Sequence, residues 1–101
     1  MLIQYDKPQV PAGFESITLY TGAEGTPKGL TVPSGARFAK IKVVDQAIRY
    51  RDDGTDPTST VGYSVAANGE VDIYSREQLE NFKAVSKDTA GGLEILYYKV
   101  Q

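Results

Sequence analysis

A chain of 101 residues with no cysteine and no histidine has no disulfide framework and none of the usual zinc ligands of that kind. It also lacks the side chain that most often serves as a base near neutral pH. With 41% hydrophobic and 24% charged residues it fits one globular domain, able to bury roughly 60–65% of the surface its unfolded form exposes, and no run approaches the roughly 18 apolar residues of a membrane span. The formal charge of −2 is uneven, with six basic against four acidic side chains in residues 1–50 and five against nine in residues 51–101. That balance disfavours a nucleic-acid backbone binder, and Arg37, Lys40 and Lys42 read as a solvated strand face.

In chain order, residues 1–12 contain Pro8 and Pro11 without periodicity and read as an N-terminal arm or loop, leaving residues 13–101 as a single β domain. The opening MLIQYDKP has neither a basic region nor a long apolar stretch, so no secretion signal is expected. Ile17 and Leu19 alternate with polar neighbours in a first strand. A turn-rich interval around Gly22, Gly25, Pro27 and Gly29 follows, interrupted by the short run Leu30 to Val32. In RFAKIKVV, Ala39, Ile41 and Val43 share one parity and predict a core triplet, with Lys40 and Lys42 opposite.

After a turn at Asp45 and Gln46, Ile48 and Tyr50 share one strand face, with Arg49 and Arg51 on the other. Strand-like composition resumes from Thr60 to Ala66. Asn68-Gly69 then predicts a type I′ hairpin turn returning through Val71 and Ile73. Ser75 followed by REQLENF predicts one short helix near residues 76–82, with Gln78 at the capping-box position and Leu79 and Phe82 facing the sheet. Ala84 and Val85 fit another strand. The last run, LEILYYKV, is apolar on both parities, which predicts a central or covered strand. The expected architecture is all-β, a compact antiparallel β-sandwich or jelly-roll-like barrel.

The residues that could carry chemistry cluster between two of these strands. Arg49, Arg51, Asp52, Asp53, Gly54, Asp56 and Pro57 form an acidic turn whose members each favour turns for a local backbone reason. Asp52, Asp53 and Asp56, with the hydroxyls of Thr55 and Thr58, offer hard oxygen ligands of the type calcium takes, but not at EF-hand spacing. A self-capped, exposed turn is the reading adopted, with no metal and no cofactor assigned. Adjacent exposed aspartates do not supply the separated acid and base of a glycosidase. Ser34 and Ser64 have no histidine to activate them, and no phosphate-loop, nucleophile-elbow or zinc-protease motif occurs. No enzyme is expected. If Arg49 or Arg51 reaches one of the aspartates, a charge-assisted bond pins the loop.

Seven tyrosines, Tyr5, Tyr20, Tyr50, Tyr63, Tyr74, Tyr97 and Tyr98, combine a large apolar ring with one polar end, which suits subunit interfaces and also sugar stacking. They are the candidate interface residues.

The segment Ala47 to Thr58 with Val61-Gly62, then Leu79 with Phe82-Lys83-Ala84 and the terminal Leu96-Tyr97-Tyr98, resembles a family of small tailed-bacteriophage and prophage proteins. In that family a strand leads into an RxRDDG-type turn ending in TxPT, followed by a VG segment, a short strand and helix ahead of an F[RK]A element, and a final strand with aromatics. The likeness spans roughly residues 36–98. It implies a noncatalytic virion structural protein, capsid-decorating or head-associated, located in the virion and, during assembly, in the host cytoplasm. It further implies partners that are phage capsid or other virion proteins, with self-association into a homo-oligomer, a trimer being one such arrangement. A carbohydrate-binding β module displayed on a virion is the alternative.

Overall fold

Strict alternation around Ile41 builds the inner wall of the molecule. Ala39, Ile41 and Val43 all face inward and are buried, as their shared parity predicts, while Lys40 and Lys42 project from the opposite face. The computed structural model describes residues 9–21 and 26–100. Among these are the strands β1 (Gln9–Leu19), β2 (Lys28–Gly29), β3 (Phe38–Val44), β4 (Ile48–Arg51), β5 (Tyr63–Val65) and β6 (Glu70–Ile73), the helix α1 (Arg76–Asn81), and the strands β7 (Lys83–Ser86) and β8 (Gly91–Val100). They form two four-stranded sheets of order β1-β8-β3-β6 and β2-β7-β4-β5. All pairings are antiparallel.

The pairing has a simple rule. β1 lies against β8, β2 against β7, β3 against β6 and β4 against β5, so the chain doubles back once as a long ribbon whose arms pass alternately through both sheets. The additional pairs β3·β8 and β4·β7 join successive turns of that ribbon. This is jelly-roll connectivity, and it gives the expected all-β antiparallel sandwich with one short helix.

Between the sheets, Leu19, Leu93, Ile95, Tyr97, Val71 and Ile73 from the first meet Ile48 and Ala84 from the second. Fully burying each large aliphatic or aromatic side chain contributes about 1.5–3 kcal/mol. Helix α1 adds Leu79, and Phe82 follows directly after it, both fully buried. The Ser75 hydroxyl accepts from the Gln78 amide at 3.1 Å, as the capping pattern predicts. Arg76 anchors the helix by donating to the Pro33 and Ala36 carbonyls at 2.8 and 3.0 Å. Strand β8 lies between β1 and β3; its Leu93, Ile95 and Tyr97 are buried in the core, whereas Leu96 on the other parity is exposed.

Two expectations change. Residues 9–12, read as part of an arm, belong to β1 and pair with β8 from Gln9↔Val100 onward, with a register shift between Pro11 and Gly13; residues 1–8 lie outside the described residues. In the turn-rich interval, Leu30 and Val32 lie outside any strand and pack against the core. Asn68-Gly69 does not close a hairpin, because Val65 pairs with Ile48 in the second sheet whereas Val71 pairs with Ile41 in the first. The turn crosses the sandwich. Only Asn68 has positive φ, at 68°, and Gly69 donates to the Ala66 carbonyl at 2.9 Å, a type II pattern in place of type I′.

Candidate functional site

The segment from β4 to β5 leaves the second sheet at Arg51 and returns at Tyr63, and its root is the place where the candidate loop and the candidate tyrosines meet. Along β4, Ile48 and Tyr50 face the core while Arg49 takes the other face. There its Nε donates to the Ser59 carbonyl at 3.1 Å and its Nη1 to the Gly62 carbonyl at 2.9 Å. The far arm of the loop is thereby drawn down over β4. Gly62 makes this approach possible: at φ +140°, a Cβ there would lie 3.2 Å from the Cβ atoms of Arg49 and Pro57 and 3.3 Å from the Tyr50 carbonyl. Pro57 is buried in the same contact. Thr58 folds the arm on itself, its amide donating to the Val61 carbonyl at 2.8 Å and its hydroxyl accepting from the Val61 amide at 2.9 Å.

The near arm is held by its charges. Arg51 donates to both oxygens of Asp53, at 3.1 and 2.5 Å, and the Thr55 amide donates to the same carboxylate at 3.1 Å. That fork, with the Thr55 bond next in weight, lowers Asp53 to about 2. Asp52 accepts from Gln78 Nε2 on α1 at 3.3 Å, and Asp56 accepts from Lys83 on β7 at 3.0 Å. The three aspartates thus address three different partners. Gly54 takes positive φ, 85°, at the open tip. Arg51 reaches a carboxylate, as the sequence predicts for one of the two arginines; Arg49 instead finds peptide carbonyls, because the loop backbone lies directly over it.

Beside this loop runs a train of rings. Phe82, fully buried, stacks on Tyr50 with centroids 5.0 Å apart, and Tyr63 meets Tyr50 edge-on at 5.5 Å. Exposure rises along the train to 68% at Tyr63. Burial, followed by the charge of Asp52 and then Tyr63, holds the Tyr50 hydroxyl above the ordinary phenol range, so at neutral pH it keeps its proton. Tyr50, Arg51, Asp52, Asp53, Gly62 and Tyr63 enclose an open hollow of about 540 Å³. It presents an aromatic surface, guanidinium donors and carboxylate acceptors. Asp53, ionised well below neutral pH, acts there as an acceptor and not as a general acid.

The other tyrosines are dispersed. Tyr20 lies under the Lys28 ammonium at 5.9 Å, Tyr74 donates to Asp72 at 3.4 Å, and Tyr98 is half-buried on the outer face of the first sheet. Tyr97 is only 1% exposed and donates to Glu15 at 2.7 Å. Burial, reinforced by Glu15, raises its hydroxyl far above the ordinary range. It is therefore an interior residue and offers a partner no surface. Tyr5 lies outside the described residues.

A second surface feature was not singled out from the sequence. Phe14 on β1 and Leu96 on β8 are cross-strand partners on the outer face of the first sheet, 62% and 46% exposed. With Lys40, Lys42, Glu70 and Glu94 they line a shallow depression of about 270 Å³, and Lys42 approaches Glu70 at 3.9 Å. The signal was Phe14's parity, opposite to that of Ile17 and Leu19, which places it outside if those two are inside. Among the described residues no helix is long and apolar enough to cross a membrane, and no three acidic groups are grouped to hold a metal. No protein family, curated protein or solved structure matches the chain.

Proposed function

We propose that this chain is a noncatalytic structural protein of a tailed-phage particle, capsid-decorating or head-associated, which attaches to assembled virion protein through the outer face of its first sheet. The observation that carries this reading is the Phe14–Leu96 pair, two large apolar side chains adjacent across β1 and β8 and both exposed. A central apolar contact bordered by charge is the arrangement that protein interfaces favour. Here the border has both signs, Lys40 and Lys42 on β3 between Glu94 on β8 and Glu70 and Asp72 on β6. Opposite charges in neighbouring rows fix register against a partner more than they add affinity.

Two further considerations support the reading. The RxRDDG turn and the later Phe82-Lys83-Ala84 element resemble small phage proteins, and the jelly-roll connectivity is shared with many capsid domains, as it is with lectins. The fold likeness is analogy alone, since one fold hosts many tasks. The assay is co-sedimentation with capsids of the phage or prophage that encodes the chain. Saturable binding is expected, together with concentration-dependent self-association, and Phe14→Asp with Leu96→Asp should weaken capsid binding at least tenfold. A Tyr20→Ser control should bind as the unaltered chain does. If the native chain stays in the supernatant at every capsid concentration, the proposal fails.

A further inference from the structure

The hollow at the root of the loop is remote in sequence and position from the Phe14–Leu96 pair, and nothing in the attachment reading uses it. We infer that it is a binding site for a neutral pyranose sugar, with the exposed Tyr63 ring as the stacking platform and Arg51 and Asp52 as the hydroxyl-recognising groups.

The chemistry follows from what the hollow offers together. Tyr63 exposes most of its ring, yet its orientation is fixed by the edge-on contact to Tyr50, which is itself stacked on the buried Phe82. A preset ring loses little freedom when something lies on it. Aromatic faces carry partial negative charge, and the C–H groups on one side of a pyranose present the complementary positive surface. The rim then supplies both hydrogen-bonding senses. Arg51 has five N–H donors in a planar fork, of which two are directed at Asp53. Asp52 has lone pairs on two oxygens, with one oxygen accepting from Gln78. Vicinal sugar hydroxyls both donate and accept, so they can meet a guanidinium and a carboxylate side by side.

The same groups argue against anionic ligands of similar size. A phosphate or a nucleotide would face Asp52 and Asp53 while Asp53 already offsets the charge of the one arginine in the hollow. A quaternary ammonium or a lysine side chain would find the Tyr rings and Asp52 attractive but would leave the remaining N–H donors of Arg51 without an acceptor. A neutral polyol meets no charge repulsion and uses both donors and acceptors. The volume, about 540 Å³, falls within the roughly 300–1,000 Å³ of small-molecule sites. With one platform and a few exposed hydrogen bonds, a dissociation constant on the order of 1 mM is expected.

The test is saturation-transfer and amide-shift NMR on the whole chain, titrated separately with methyl β-glucopyranoside, methyl β-galactopyranoside and N,N′-diacetylchitobiose. Tetramethylammonium and adenosine monophosphate serve as the charged comparisons. At least one sugar should saturate, with the largest shifts at the Gly62 and Tyr63 amides and little response to added salt. Tyr63→Ala should weaken it at least tenfold, Tyr63→Phe should bind within about twofold of the native chain because the ring and not its hydroxyl is the platform, and Tyr74→Ala should change nothing. Tyr63 projects into solvent, so an unchanged unfolding midpoint is the accompanying control. No saturable shift with any of the three sugars overturns the inference, as does sugar binding that survives Tyr63→Ala or saturation by the charged compounds alone. Capsid co-sedimentation of Tyr63→Ala reports separately on the attachment face and should be unaltered.

Discussion

Asp53 owes its role to three hydrogen bonds, two from Arg51 and one from the Thr55 amide, all made to its charged form. Such bonds favour ionisation and so depress the pKa, here from 3.8 to about 2. The direction fixes the pH window. A group whose folded pKa lies below its unfolded value supports the folded arrangement fully above the unfolded pKa, and that support fades as pH falls through the folded one. The fork is therefore complete at neutral pH, its support for the fold fades between about pH 4 and pH 2, and the fork itself breaks as Asp53 protonates near pH 2. Carboxyl NMR should place the Asp53 midpoint near pH 2 in the native chain, and in Arg51→Met the midpoint should rise toward 3.8. A midpoint unmoved by that substitution would mean that the arginine does not hold the loop. The sequence made this pairing legible because Arg51 and Asp53 are two residues apart at a strand end. The destination of Arg49 was not, since its acceptors are backbone carbonyls that exist at that place only after the loop has folded over.

At the scale of elements, what could be read early was whatever depends on local parity or capping. The inward face of β3 and the Ser75 cap of α1 both follow from side chains close in sequence. What could not be read was which strand lies beside which. Asn68-Gly69 marks a turn correctly, yet Val65 and Val71 are drawn to opposite sheets, and burial of both outweighs the local preference for a hairpin. The loop of residues 52–62 raises the complementary question of what keeps a long, polar excursion in one shape. Gly62 admits the close approach to β4, and Arg49 supplies the two bonds that hold it there. Hydrogen bonds from a charged donor contribute roughly 1.5–3 kcal/mol each when partly buried, with incomplete additivity. Arg49→Met should accordingly lower stability by about 2–3 kcal/mol in urea unfolding. Exchange of the Thr60 and Val61 amides should accelerate more than that of the Ile41 and Ile95 amides, because the loop opens ahead of the core. Uniform acceleration would show instead that the loop and sandwich open as one unit.

At the scale of the fold, the ribbon rule means that among the described residues only β4 and β5 pair as immediate neighbours in the chain; every other ladder described joins strands separated by other elements. The first sheet is completed by β8, the last strand, which bridges β1 and β3. Its long outer strand β1 is protected from adding further strands by Pro11, by the register shift beside Gly13 and by the inward Glu15, which accepts from Tyr97 and from the Thr31 amide. Closure of distant segments costs entropy before any contact compensates for it, and folds with such topology refold in milliseconds to seconds. Refolding of this chain should fall in that range and follow a single exponential. Ile95 is fully buried at the centre of β8 and registers against Ile41 and Glu15 on its two flanks. Ile95→Ala should then cost about 2–5 kcal/mol. If the β8 ladders form in the rate-limiting step, much of that loss appears as slower refolding in a stopped-flow chevron; if they form afterwards, it appears as faster unfolding. Because, among the described residues, β8 supplies the one ladder of β1 and one of the two ladders of β3, the first outcome is the expected one. Refolding in microseconds, or a loss confined to the unfolding limb, would mean that the ribbon closes by a different route.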